Sequence, residues 1–369
     1  MASPERMRSI AWGRELSKLK MEPRIIMSRN QILAVGLCLL ALPFNLPSYA
    51  QEDMSRAAWK ARPYPPLPDD VARKQVVIWS DGTRMAGDVY LPKNVTADAK
   101  LPAIVFVHGT GGVKKMPWSI KLAVESARRG YAFLNFDYRG WGESDSRLMM
   151  LEEMPEPDAE GNVAVKTRAI RWQMDFGDQV TDIRNAIGFI AGEPNVNFER
   201  IGVFGTSYGG GLATWIAAKD PRVKCAVAQV PGMGGQRGLP YYQHAYTLMA
   251  RQARGDVEPV PFKTGAPGGT MAAYKHMRYN PSKNAVYDVF QAVEKIKTPL
   301  MIIDAGKEEL MDITQQGGRV AQIVEENGSP FEYHVIENLT HYGIYGEYQD
   351  TILKMELNWF DKYLKTSND

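Results

Sequence analysis

From residue 75 onward the chain alternates short apolar runs with stretches of helical periodicity. The first two runs, 75–80 and 86–91, have strand character. The turn residues Asp81-Gly82 join them, which predicts an antiparallel hairpin. Six further apolar runs follow at 103–107, 132–136, 201–204, 225–230, 300–303 and 331–336. Short runs separated by helical segments are the mark of a parallel sheet covered on its faces. A helix is expected over 119–129, and Val180, Ile183, Ile187 and Ile190 share one face of another. Leu212, Trp215 and Ile216 do the same after Gly205, Ile323 and Val324 sit in a helix before the last strand, and 352–364 closes the chain as an amphipathic helix. The pattern therefore predicts an α/β domain with a mostly parallel eight-stranded sheet and helices on both faces.

Two stretches break the alternation. Residues 146–175 are polar, Met-rich and poor in apolar periodicity, and 232–285 holds Gly232-Met233-Gly234-Gly235, Tyr241-Tyr242 and a Gly-rich piece at 265–269. Both follow strand ends, so both are expected over the carboxyl edge of the sheet, where open α/β folds bind ligands. The second reads as a lid insertion, leaving 75–231 and 286–369 as the core. Residues 51–74, with Arg62-Pro63-Tyr64-Pro65-Pro66-Leu67-Pro68, read as a stiff extended lead-in.

Composition narrows the class. In 369 residues, 44% hydrophobic and 23% charged, there is enough apolar material for a folded core and no repeat that would make a solenoid. The net charge of +2 comes from the first 50 residues, which hold seven basic and three acidic side chains; the rest carries 37 against 39. The body therefore lacks the basic field that a nucleic-acid backbone requires, and no nucleic-acid partner is expected. Residues 1–50 read as a leader. An apolar run of eleven at 32–42 follows Arg29 and precedes Ser48-Tyr49-Ala50, which suits cleavage before Gln51 and a periplasmic or secreted location. Met27 is an alternative start. The run is short of the roughly 20 residues of a membrane span, so no stable membrane insertion is expected after cleavage. Leu37 before Cys38 argues against a lipid-modified cysteine. Cys225, in an apolar strand setting, then remains alone and reads as a small buried hydrophobe, with no disulfide to staple the fold.

The chemistry gathers on loops after strands. Gly205-Thr206-Ser207-Tyr208-Gly209 stands between a strand run and a helical one, and G-x-S-x-G in that setting is a nucleophile elbow. The serine must sit on a tight turn with its oxygen exposed, and a side chain on either flanking residue would collide with the strand or helix beside it. His108-Gly109-Thr110-Gly111-Gly112 follows the 103–107 strand. Acyl transfer needs two backbone N–H groups aimed at the developing oxyanion. Tyr208 is expected to supply one and Thr110 the other, with Gly111 as its rival for the second. A serine hydroxyl also needs a base, and of the five histidines His341 lies in a loop after the last strand, where the chain order Ser…acid…His puts it. His108 belongs to the oxyanion loop, His334 alternates within a strand, and His244 and His276 fall in the lid. The acid is sought in Asp304-Ala305-Gly306-Lys307-Glu308-Glu309-Leu310-Met311-Asp312. Spacing from Gly306 favours Glu309, with Glu308 and Asp312 as rivals and Asp304 still at the strand end.

With these pieces the chain resembles the α/β-hydrolases, in the broad dienelactone-hydrolase and acetyl-esterase-like group. The matching segments are the 107–112 stretch, Asp137-Tyr138-Arg139-Gly140-Trp141-Gly142-Glu143-Ser144, the elbow at Ser207 and Thr340-His341-Tyr342, together spanning 75–365. The resemblance implies a triad of Ser207, the loop acid and His341, and a site wall shaped by the Asp-Tyr-Arg-Gly segment. A glutamate stands where the group usually has aspartate. The expected activity is hydrolysis of a small-molecule carboxylic ester, with no cofactor and no metal. A peptidase, a C–C hydrolase or a perhydrolase using the same triad is the alternative, and Tyr241, Tyr242 and Tyr274 in the lid are aromatic groups that could bind a peptide amine. A non-catalytic binding protein would be expected to lack a triad member.

Overall fold

Strands form where the sequence offers apolar residues to both faces. The computed structural model describes residues 55–235, 237–257, 262–263 and 277–365, all within one compact unit, Tyr49–Asp369. β1 (Val71–Ser80) and β2 (Thr83–Pro92) pair antiparallel around Asp81-Gly82, both at positive φ (45° and 72°), the backbone that a two-residue hairpin turn requires. β1 starts inside the segment expected to be an extended lead-in, and a short helix, α1 (Arg56–Ala61), precedes it. β3 (Leu101–Val107) and β4 (Ala132–Phe136) follow. Three short strands then lie outside the main sheet: β5 (Arg147–Met150), β6 (Thr167–Ile170) and β7 (Gln173–Met174). β8 (Val196–Thr206), β9 (Val223–Gln229), β10 (Phe262–Lys263), β11 (Arg278–Tyr279), β12 (Leu300–Ala305) and β13 (Phe331–Ile336) complete the set.

The main sheet has eight strands in the order β1-β2-β4-β3-β8-β9-β12-β13. The two pairings made by β2 are antiparallel and the other five are parallel. The eight runs read from the sequence are these eight strands. The helices are α2 (Pro117–Arg128), α3 (Phe176–Ala191), α4 (Tyr208–Lys219), α5 (Leu239–Ala253), α6 (Pro281–Asn284), α7 (Val289–Val293), α8 (Gly317–Asn327) and α9 (Gln349–Leu364).

The pleat divides each strand between two cores. Ala103, Val105 and Val107 of β3 pack with α3 and α4 residues such as Ile183, Ile187 and Leu212, whereas Ile104 and Phe106 pack with Ile120 of α2 and Phe360 of α9. Burying one such side chain fully contributes about 1.5–3 kcal/mol, so central strands apolar on both faces specify a sheet covered on both sides. Helix ends are marked locally. Pro117 opens α2, Asp175 caps α3 by accepting from the Asp178 N–H, and Gly328 ends α8 in the left-handed region.

The two stretches without periodicity join each other. β7 pairs parallel with β11, which pairs antiparallel with β10, so 173–174 and 278–279 are stitched together in a small sheet of their own. Within 232–285, α5 buries only Ala245 and Leu248. Among the described residues no helix is long and apolar enough to cross a membrane. The leader, Tyr274 and His276 lie outside the described residues.

Candidate active site

β8 runs straight into α4 through Ser207, which holds φ 52° and ψ −126°. A non-glycine residue in such backbone costs about 1–3 kcal/mol and is held there only by what surrounds it. Here the surroundings are specific. The Ser207 N–H donates to the Gln229 carbonyl at 3.0 Å, while the Ser207 carbonyl accepts from the N–H groups of Gly210 (2.8 Å) and Gly232 (2.9 Å). A Cβ on Gly205 would run into the Gly209 carbonyl and Ala213, and one on Gly209 into the carbonyls of Val107 and His108. These two glycines let strand, helix and the neighbouring loop meet. Val230, a β-branched residue at φ 38°, adds a second strained position where β9 ends against the elbow.

His341 reaches the elbow from the loop after β13. Its Nε2 is 3.0 Å from Ser207 Oγ, and its Nδ1 is 2.8 Å from Oε2 of Glu308. A carboxylate only accepts, so the Nδ1–H donates to it and Nε2 is left as the acceptor facing the serine hydroxyl. The imidazole is 2% and the Glu308 side chain 3% exposed, which shields the pair from water.

The ring partner is Glu308 and not Glu309, the residue that spacing from Gly306 favours. Glu309 turns to the backbone, where its Oε2 accepts from the His341 N–H at 2.7 Å. Glu308 is fixed in turn, since its Oε1 accepts from the Leu310 N–H at 2.9 Å. The loop thus grips His341 twice, by ring and by main chain. Asp312 accepts from the N–H and hydroxyl of Thr314. Asp304 is buried at the end of β12 with the Tyr333 hydroxyl donating to it at 2.9 Å; burial, with Glu308 nearby, pushes it up to about 7.

The 108–112 loop lies against Ser207. A Cβ on Gly109 would sit 2.9 Å from Ser207 Cβ, and Gly111 takes φ +74°. Tyr208 is the first residue of α4, so its N–H has no acceptor within the helix. His108 lines this loop: burial lowers it to about 4, and its ring packs on Tyr138 and Trp141, with centroids 4.1 and 5.6 Å away. His334 pairs with Glu332 on β13. Cys225 is buried in β9, and burial raises its thiol well above the ordinary range.

A tether absent from the sequence reading links the histidine loop to the elbow. Thr206 Oγ1 shares a 2.7 Å hydrogen bond with the Tyr345 hydroxyl and accepts from Gln229 Nε2 at 2.9 Å. Gln229 thus holds the Ser207 backbone with its carbonyl and the histidine loop, through Thr206, with its side chain. Nothing periodic marks Gln229 or Tyr345, so this tether has no signal in the sequence. Among the described residues, no three His, Cys, Asp or Glu side chains are grouped to hold a metal ion.

Comparison with known proteins gives two family-model matches. The X-Pro dipeptidyl-peptidase (S15 family) model matches residues 81–258, and that of the BAAT/acyl-CoA thioester hydrolase C-terminal region matches 183–342. An uncharacterized 31.7 kDa protein of Escherichia coli, from the traX-finO intergenic region, is 24% identical over 300 residues, covering 72% of this chain and 92% of that protein. The quorum-quenching protein AidA of Acinetobacter baumannii is 28% identical over 156 residues, 42% of this chain and 43% of AidA. Among solved structures, the hypothetical protein PA2218 of Pseudomonas aeruginosa superposes with a TM-score of 0.58 at 22% identity, covering 81% of this chain and 96% of that one.

Proposed function

Because this chain belongs to the α/β-hydrolase superfamily and is a serine hydrolase, we propose that it cleaves a carboxylic ester through an acyl-enzyme on Ser207. The observation that carries the reading is the unbroken chain Ser207 Oγ–His341 Nε2 (3.0 Å) and His341 Nδ1–Glu308 Oε2 (2.8 Å).

In the first half-reaction Ser207 Oγ attacks the ester carbonyl as His341 Nε2 takes its proton. Glu308 holds the ring's tautomer and stabilises the imidazolium that forms. The carbonyl oxygen becomes an oxyanion that the N–H groups of Tyr208 and Thr110 receive, each donor worth about 10²–10³ in rate. The imidazolium then gives its proton to the departing alcohol, leaving the acyl group on Ser207. In the second half a water, deprotonated by His341, attacks that acyl carbonyl, and the carboxylic acid leaves as the proton returns to Ser207.

Ser207→Ala removes the nucleophile. Its turnover of p-nitrophenyl acetate is expected to fall by at least about 10³-fold with an unchanged melting temperature, and a fluorophosphonate should phosphonylate Ser207 of the wild type only, with fluoride leaving. Wild-type turnover in that variant would end the reading. The two family-model matches favour a second reading on the same machinery, in which the bond is a thioester or a peptide amide. An acyl-CoA and an aminoacyl amide run beside the ester series, compared by kcat/KM, separate the three.

A further inference from the structure

The segment before the sheet does more than lead in. Trp59 of α1 is buried in the same core cluster as Val113, Met116, Tyr138 and Trp141. The ammonium of Lys115, itself buried, donates to the carbonyls of Trp59 (3.0 Å), Lys60 (3.2 Å) and Arg62 (2.8 Å), the electronegative end of that short helix, and pairs with Glu143 at 2.5 Å. Beside it Lys114 is 2.9 Å from Glu143, 3.1 Å from Asp88, and donates to the Tyr64 hydroxyl, which in turn donates to Asp88 at 2.7 Å. Tyr64 comes from the proline-rich stretch, and its ring lies under the Lys115 ammonium at 4.5 Å.

Lys114 and Lys115 follow the loop of His108 to Gly112 after a single residue, Val113. The Lys114 main chain is clamped on both sides: its N–H donates to Asp137 at 2.7 Å, and its carbonyl accepts from Asn135 Nδ2 at 2.9 Å. At the other end of the loop the Tyr138 hydroxyl donates to the His108 carbonyl at 3.1 Å. The loop is held between these anchors, and the far anchor is completed by residues 59–64. Charges this deeply buried are strongly destabilised when one partner is removed, so the cluster has a single favoured arrangement. Burial works against the Lys114 charge, but Asp137 and Asp88 outweigh it and hold the ammonium above its ordinary range.

We propose that residues 55–68 form a latch on the 108–115 segment, with Tyr64, Lys114 and Lys115 as positioning residues that aim the Thr110 N–H at the oxyanion. This rests on reading that loop as an oxyanion donor in the ester mechanism above. An oxyanion hole acts through placement, so a small displacement lowers the rate of the chemical step while leaving substrate binding nearly intact.

The test uses the full chain. Tyr64→Phe and Lys115→Met are compared with wild type for kcat and KM on p-nitrophenyl acetate, and for inhibition by a trifluoromethyl ketone, whose adduct on Ser207 carries the oxyanion. The expected result is a fall in kcat of about tenfold, a matching loss of ketone affinity, and KM within about twofold. Unchanged kcat and ketone affinity in folded variants would overturn the latch, as would equal weakening of KM and ketone binding. If Lys115→Met fails to fold, Tyr64→Phe, which deletes one hydroxyl, decides alone. Ser207→Ala run alongside separates the failures. Lost turnover there with an unaffected Tyr64→Phe sinks the latch only, whereas retained turnover there sinks the ester mechanism beneath it.

Discussion

At the scale of single residues, His341 is placed by two adjacent glutamates with different tasks. Glu308 meets Nδ1 and Glu309 meets the main-chain N–H. Glu308→Gln keeps the shape but no longer enforces the tautomer that leaves Nε2 bare, so kcat/KM on p-nitrophenyl acetate should drop by about a hundredfold or more. Glu309→Gln still offers an amide oxygen to the same N–H and should stay within about threefold, since only charge assistance is lost. The reverse ranking would reassign the acid. The sequence brought Ser207, His341 and the acidic loop into view, because a nucleophile elbow has steric demands that only Gly205 and Gly209 meet. It could not separate Glu308 from Glu309. On an irregular loop, neighbouring side chains have no period to tell them apart, and the spacing from Gly306 pointed to the residue that binds main chain.

At the scale of elements, α9 shows how much a helix face can tolerate. Ile352, Leu353, Leu357, Phe360 and Leu364 pack into the core, as the amphipathic pattern over 352–364 predicts, yet Glu356 is buried among them. Its Oε1 has no hydrogen-bond partner among the described residues, and burial raises its pKa well above the ordinary 4.5. The sign of the consequence is definite. The native state keeps this proton while the unfolded chain releases it above pH 4.5, so the side chain costs stability progressively as pH rises past that value. Glu356→Gln keeps the shape and carries no proton to lose. Its melting temperature should exceed wild type at pH 8, and the gap should close below pH 4.5. A gap independent of pH in thermal melts would contradict this. The short strands β5, β6, β7, β10 and β11 illustrate the opposite case. Of two to four residues each, they are too brief for any alternation to register, and they form because distant segments pair.

For the whole molecule, the decisive contact is that of the chain's last helix with its central strand. Gly202 on β8 faces α9 so closely that a Cβ there would lie 2.7 Å from Phe360 and 2.9 Å from Leu364. Gly202→Ala should therefore overpack the core by about 1–3 kcal/mol. Thermal unfolding would register this as a melting temperature lower by roughly 2–4 °C per kcal/mol, and an unchanged value would mean that the helix can move away freely. The order of amino acids alone determined the eight strands and five of the helices, and it singled out Ser207 and the loop of His341 that meets it. Apolar periodicity and glycine sterics act over a few residues, so they are written locally. Tertiary structure alone decided which glutamate meets the imidazole, the tether from Gln229 through Thr206 to Tyr345, and the docking of Trp59 and Tyr64 onto Lys114 and Lys115. Each depends on groups brought together from separate segments, 53 to 56 residues apart for Lys115 and the helix end it caps. Burial turns such meetings into fixed geometry, because a charge or polar group shut away from water must find its partner wherever the fold supplies one.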